Sequence, residues 1–201
     1  MPPLAVLAVS VCLATLLLGA PAGSSTPPPS GSAEGISPVF TPEVAHWAAW
    51  IRLWAAEAGV DPNLAATVMQ IESCGDPRAR SSAGALGLFQ VMPYHFAPGE
   101  NPFDPATNAR RGLAYLRRAL MAAGGEARLA LAGYNGGIGL IGRSELDWPA
   151  ETRRYVYWGS GIYAEAVSGA QESLRLQEWL AAGGDGLCRR ARLSLGLGAN
   201  R

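Results

Sequence analysis

Glu72 is the residue with the most chemistry in its position. It closes the stretch ATVMQIE, an apolar helical run broken at Gly75 and Asp76-Pro77. Two effects raise the pKa of a carboxyl placed there. Apolar neighbours, Met69 and Ile71 among them, desolvate it and favour the protonated form. The helix dipole disfavours negative charge at a C-terminus by about 0.3–1 kcal/mol, which is less than one pKa unit, so desolvation is the larger effect. A carboxylic acid held neutral near pH 7 is what a general acid for glycoside cleavage needs. An ordinary solvated Glu at a helix end would occupy the same position, and Glu72 alone does not separate the two.

The residues that follow narrow the choice. Ser81, Gly84, Gly87, Gln90 and Met92 lie in a Gly-rich segment, SSAGALGLFQVMP, closed by Pro93. Glycine permits close backbone approach to a ligand, and the Gln90 amide offers both a donor and an acceptor to a sugar. Tyr134 and Tyr155 are polar-tipped aromatics suited to stacking and hydrogen bonding. The two histidines, His46 and His95, are far apart in sequence. His46 follows a helix start and reads as packing or surface, His95 is a cleft candidate, and no metal site is expected. There is no G-x-S-x-G elbow and no P-loop.

The elements that must position these groups read as helices. Thr41-Pro42 starts one whose apolar positions run from Val44 to Ala55 and which Gly59 ends. Asp61-Pro62 opens the helix that carries Glu72. Asp104-Pro105 opens a third, with Leu113, Leu116 and Leu120 inward and Arg110, Arg111, Arg117 and Arg118 in solvent. A shorter helix over 126–135 ends at Tyr134-Asn135-Gly136-Gly137. Trp148-Pro149 precedes another, through Tyr155 to about Val167, and a last amphipathic one spans about 171–182. The expected class is mainly α, with no strand alternation and no internal repeat. The division is 1–22 leader, 23–40 Pro/Ser/Gly-rich linker, 41–182 catalytic domain and 183–201 tail, ordered only near Cys188.

Composition agrees with a globular chain: 201 residues, 49% hydrophobic and 16% charged, with zero formal net charge. All sixteen basic residues are Arg and none is Lys, but no basic excess argues for nucleic acid. Residues 1–33 carry no charged side chain, and Leu4–Ala20 is an apolar run followed by an A-x-A-like signal. It reads as a signal peptide or an uncleaved anchor, and either exports the chain. Cys12 lies in that run. Cys74 and Cys188 remain in an oxidising compartment, as a disulfide or as two buried thiols.

ES-x-x-DP-x-A-x-S-x-x-GA-x-GL-x-Q-x-MP, residues 72–93, resembles the signature of the soluble lytic transglycosylases, the SLT domain of the lysozyme-like superfamily. LALAGYNGGIGLI (129–141) resembles the family's A-x-YNAG-x-G block, ETRRYV (151–156) its ET-x-x-YV block, and NPFDPATNARRGLAYL (101–116) the stretch before its G-x-x-YL helix. The resemblance spans about 55–167. It implies a lysozyme-like helical domain with a saccharide cleft, cleaving the β-1,4 bond between N-acetylmuramic acid and N-acetylglucosamine of peptidoglycan to a 1,6-anhydro product. It implies Glu72 as acid/base, and Ser81, Gln90, Met92, Tyr134, Asn135 and Tyr155 as substrate-binding residues. Glu151 is a supporting residue, equally readable as structural. No metal or organic cofactor is implied. The expected partner of this monomer is the glycan strand, with membrane contact only if the leader is retained. A lysozyme-type hydrolase on the same fold, and a binding module without catalysis, are the competing readings.

Overall fold

The structure, a computed structural model, describes residues 35–198; the leader and most of the linker lie outside them. Eight α-helices follow in order: α1 Pro42–Ala45, α2 Ala48–Ala58, α3 Pro62–Glu72, α4 Pro105–Ala122, α5 Ala127–Gly136, α6 Ala150–Val167, α7 Leu174–Trp179 and α8 Asp185–Ser194. Short 3-10 turns sit at Pro93–His95, Ile138–Leu140 and Glu145–Asp147. Two isolated antiparallel bridges, Arg80–Leu86 and Leu86–Val91, fold the long connection between α3 and α4.

Local chemistry explains the principal boundaries. The Asp61 carboxylate accepts from the N–H groups of Asn63 and Leu64, and Pro62 stands where its missing N–H does no harm, so α3 starts there. Asp104 and Pro105 open α4 in the same way, with Asp104 Oδ2 accepting from Thr107 N at 2.8 Å. Gly59, left-handed at φ 65°, terminates α2. The single helix expected from Thr41 to Gly59 is two. The helix breaks at His46-Trp47, where the Trp47 indole donates to Gly75 O at 2.8 Å, a tertiary bond the periodicity does not carry.

α5 packs between α4 and α6, α3 lies against α6, and α2 bridges α3 and α4. Ile51, Val68, Met69, Leu88, Phe89, Leu113, Leu116, Leu131 and Ile162 are fully buried in one continuous core. Residues 35–40, read as linker, join it: Val39 and Phe40 are buried, and Ser37 N donates to Asn63 Oδ1 at 2.7 Å.

The segment after residue 183 departs from the expected tail. It is helical across Asp185–Ser194, with Cys188 and Ala191 buried. Cys74 and Cys188 are disulfide-bonded, Cα to Cα 5.0 Å. Arg192 bonds the buried Glu43 carboxylate at 2.6 Å. Two long-range ties and an apolar face hold a stretch whose Gly and Arg content alone suggested no order.

Candidate active site

The site is assembled around the connection 86–90, which three helices grip. From the end of α3, Ser73 Oγ donates to Leu88 O at 2.6 Å. From α4, the fully buried Asn108 amide accepts from Phe89 N at 2.8 Å and donates to Leu86 O at 2.7 Å and Pro102 O at 2.9 Å. From α5, Tyr134 Oη donates to Phe89 O at 2.7 Å. Two glycines make this approach possible. A Cβ on Gly87 would stand 2.9 Å from Pro102 O and overlap the Asn108 amide. One on Gly112 would overlap Phe89 and stand 3.2 Å from Tyr134 Oη. Gln90 is held at φ 45°, and its side chain donates to Gly87 O at 3.0 Å.

Glu72 is the last residue of α3, partly open to solvent yet enclosed by its neighbours. Burial pushes its pKa up from 4.5 to about 8; Tyr155 pulls the other way, and the Glu151 charge adds a smaller upward push. Tyr155 is buried, and its hydroxyl, near Glu72 but without a hydrogen bond of proper geometry, has no partner among the described residues. Burial first, and then the Glu72 charge, raise both Tyr134 and Tyr155 well above the usual tyrosine range. Both therefore stay protonated beside the carboxyl; the Tyr134 hydroxyl is spent on Phe89 O, and the Tyr155 hydroxyl is the free donor. Neighbouring groups of perturbed pKa are a mark of functional sites.

Next to this group lies a cavity of about 290 Å³. Gln90, Met92, Tyr134 and Asn135 line it, together with Tyr94, His95 and Tyr115. Asn135 is oriented by Thr152, whose hydroxyl donates to Asn135 Oδ1 at 2.8 Å. Glu72 and Tyr155 are not among the lining residues, and Tyr134 is what joins the cavity to the acid. Ser81 is not on this wall either: its hydroxyl accepts from Ala85 N at 3.0 Å and closes the 81–85 turn. Glu151 is exposed on α6, one turn before Tyr155. Sequence reasoning missed Asn108, Gly112 and Tyr115. Tyr115 and Gly112 did stand in the quoted G-x-x-YL block, which was the available signal.

Residues 49–153, just over half of the chain, match the family described as Transglycosylase SLT domain. The chain belongs to that family. Among SLT-domain relatives, a transglycosylase of Enterobacteria phage PRD1 is 37% identical over 112 residues, covering 55% of this chain and 40% of the phage protein. The membrane-bound lytic murein transglycosylase C of Haemophilus influenzae is 39% identical over 79 residues, 33% of this chain and 22% of that protein. The chain thus spans two-fifths or less of the length of these relatives. A solved structure of an inactive mutant of the lytic transglycosylase Slt from Pseudomonas aeruginosa matches with a TM-score of 0.49 and 25% identity, over 61% of this chain and 24% of that one.

Proposed function

We propose that this SLT-domain protein is a peptidoglycan lytic transglycosylase that cleaves the N-acetylmuramic acid–N-acetylglucosamine β-1,4 bond and leaves a 1,6-anhydromuramyl end. The observation that carries the reading is Glu72, a carboxyl of pKa about 8 close to the Tyr134 and Tyr155 hydroxyls and joined through Tyr134 to a cavity that Gln90 and Asn135 also line. Protonated at neutral pH, it delivers its proton to the glycosidic oxygen as the C1–O bond breaks. The muramyl N-acetyl group stabilises the developing positive charge. The carboxylate left behind is a stronger base than an ordinary Glu. It takes the proton of the same sugar's C6 hydroxyl as that oxygen closes on C1, which returns Glu72 to its acid form. Gln90, Met92, Tyr134 and Asn135 hold the sugar, and Tyr155 lies beside the carboxyl with its hydroxyl unpaired among the described residues.

A hydrolase of lysozyme type needs a second carboxylate about 5–9.5 Å from the first. Most of the candidates are engaged elsewhere. Glu100 is bonded by Arg110 and Arg111, Glu145 by Arg128, and Asp104 and Asp76 accept from backbone N–H groups. Only Glu151 makes its charge felt at Glu72. Mass analysis of products from purified sacculi tests the reading: anhydro ends, lighter by one water, are expected, and reducing ends alone would refute it. Glu72→Gln abolishes release. If neither protein clears sacculi, a glycan-binding module remains; if the mutant clears them as fast as wild type, Glu72 is not the catalytic acid.

The same proposal sets the compartment. The apolar leader at 1–22 and the linker after it carry the domain to the extracytoplasmic side, where a Cys74–Cys188 bridge is stable. Among the described residues no helix is long and apolar enough to cross a membrane.

A further inference from the structure

A second cluster of ligand-type side chains surrounds the Cys74–Cys188 bridge. Glu43 of α1, Cys74 just after α3 and Cys188 of α8 bring a carboxylate oxygen and two Sγ atoms within 4.8 Å of one another. All three residues are buried, and none lines the cavity beside Glu72. Arg192 spends its Nε and Nη2 on Glu43 Oε1, at 2.6 and 2.5 Å. The other oxygen, Oε2, is buried with no hydrogen-bond partner among the described residues. A buried carboxylate oxygen left without a partner is costly, and each such group calls for a reason. The sulfurs are supported as well. Gln70 Nε2 donates to Cys74 Sγ at 3.1 Å and to Cys188 Sγ at 3.5 Å. The Gln70 carbonyl accepts from Thr41 N at 3.2 Å, which leaves the amide NH2 facing the sulfurs.

Two thiols and a carboxylate are a ligand set for Zn2+, which takes sulfur and oxygen together in tetrahedral sites. We propose that, once the Cys74–Cys188 bridge is reduced, Glu43, Cys74 and Cys188 bind one Zn2+ with water in the fourth position. The metal then replaces the bridge as the tie between α8 and the residues after Glu72. The reductant is a dithiol: it gives the bridge two electrons and two protons, leaves two protein thiols and itself becomes a disulfide. Zn2+ displaces the two thiol protons. Zn–S bonds of about 2.3 Å and a Zn–O bond of about 2.0–2.2 Å put the ligand atoms roughly 3.5–3.8 Å apart, within the spacing already present. The charges of two thiolates, Glu43, Zn2+ and Arg192 cancel, so the metal leaves no unbalanced buried charge. The Gln70 N–H groups favour the thiolate form of the sulfurs, and Arg192 fixes Glu43 from behind, the outer support that metal ligands use. The site is structural and is separate from the reaction at Glu72.

The test uses the full chain, reduced with a dithiol that is then removed under argon, and Co2+ as the probe. Thiolate–Co2+ bonds give a strong near-ultraviolet band, which Zn2+ removes by displacing the cobalt. One Co2+ per reduced chain is expected, and none on the oxidised chain. X-ray absorption of the zinc form should show two sulfurs at about 2.3 Å and oxygen ligands at about 2.0–2.2 Å. Glu43→Gln, checked for fold in its oxidised form, is expected to weaken binding by at least about tenfold, and Cys188→Ser to abolish the band. No binding by the reduced chain overturns the proposal. So does unchanged affinity in either variant; for Glu43→Gln it would mean capture by the two thiols alone. A shell of four sulfurs, from two chains sharing a metal, overturns it too. If Glu43→Gln does not fold, the ligand count in the wild type decides. None of these outcomes depends on glycan cleavage, so the proposal stands or falls apart from the enzymatic reading.

Discussion

A buried acid that must stay protonated weakens the fold that holds it, and this gives a measurable signature for Glu72. Its pKa is about 8 in the folded protein against 4.5 ordinarily. Below pH 4.5 the carboxyl is protonated in both folded and unfolded chains and contributes no pH dependence. Between 4.5 and 8 the unfolded chain releases the proton and the folded chain keeps it, so stability falls as pH rises. Each pH unit in that window is worth about 1.36 kcal/mol. At pH 7.5 the cumulative loss relative to pH 4.5 approaches about 4 kcal/mol, and roughly half of that if solvent reaching the carboxyl eases its ionisation.

Glu72→Gln keeps the shape and removes the titration. The two proteins should be similarly stable at pH 4.5, and the mutant about 2–4 kcal/mol more stable at pH 7.5. Urea unfolding of both proteins at the two pH values reads the difference directly, and comparing them cancels every other titrating group. Activity should follow the same ionisation, with wild-type rate falling above about pH 8 as the acid form is lost. A stability difference that does not change with pH would mean that Glu72 titrates as a solvated carboxylate, and the desolvation argument would be wrong.

Three other perturbations have calculable outcomes. The Cys74–Cys188 bridge closes a separation of 114 residues, so Cys74→Ser/Cys188→Ser should lose up to about 5 kcal/mol in the chain-entropy account; an unchanged unfolding midpoint in the double mutant would refute that. Asn108→Ala leaves Phe89 N–H and the Leu86 and Pro102 carbonyls without this partner, and should cost about 2–4 kcal/mol in denaturant unfolding. Gly112→Ala forces a methyl against Phe89 and towards Tyr134. It should destabilise by about 1–3 kcal/mol and lower kcat on sacculi more than a surface Ala114→Ser control.

What could be read in the chain beforehand follows from what is local in it. Helix starts at Asp61-Pro62 and Asp104-Pro105 are written in adjacent residues, and so is the stop at Gly59. Glu72 at an apolar helix end is local too, which is why its raised pKa could be argued from position. The break at His46-Trp47 and the order of α8 depend on partners far along the chain, Gly75 for the first and Cys74 and Glu43 for the second. The cavity wall has the same character. Tyr94, Tyr115 and Tyr134 lie on separate elements, and nothing in their spacing says that their rings meet.

The backbone around the site shows why so many long-range ties are needed. Among the described residues, the non-glycine positions with positive φ are Cys74 at 52° and Gln90 at 45°, one just after Glu72 and one on the cavity wall. Such conformations are disfavoured for residues with a Cβ and persist only where their surroundings over-determine them. Cys74 is fixed by its bridge to α8 and by the Gln70 amide, which donates to its sulfur at 3.1 Å. Gln90 is fixed by bonds from both its backbone N–H and its side chain to Gly87 O, in a loop that Asn108 and Tyr134 hold. The stretch that follows Glu72 therefore carries two strained points, Cys74 clamped from α8 and Gln90 in a loop clamped from α4 and α5. A relaxed loop would let water solvate the carboxyl and return its pKa towards that of an ordinary Glu. On this argument the α8 bridge and the Asn108 clamp are part of how the acid is kept protonated, although neither touches the cavity.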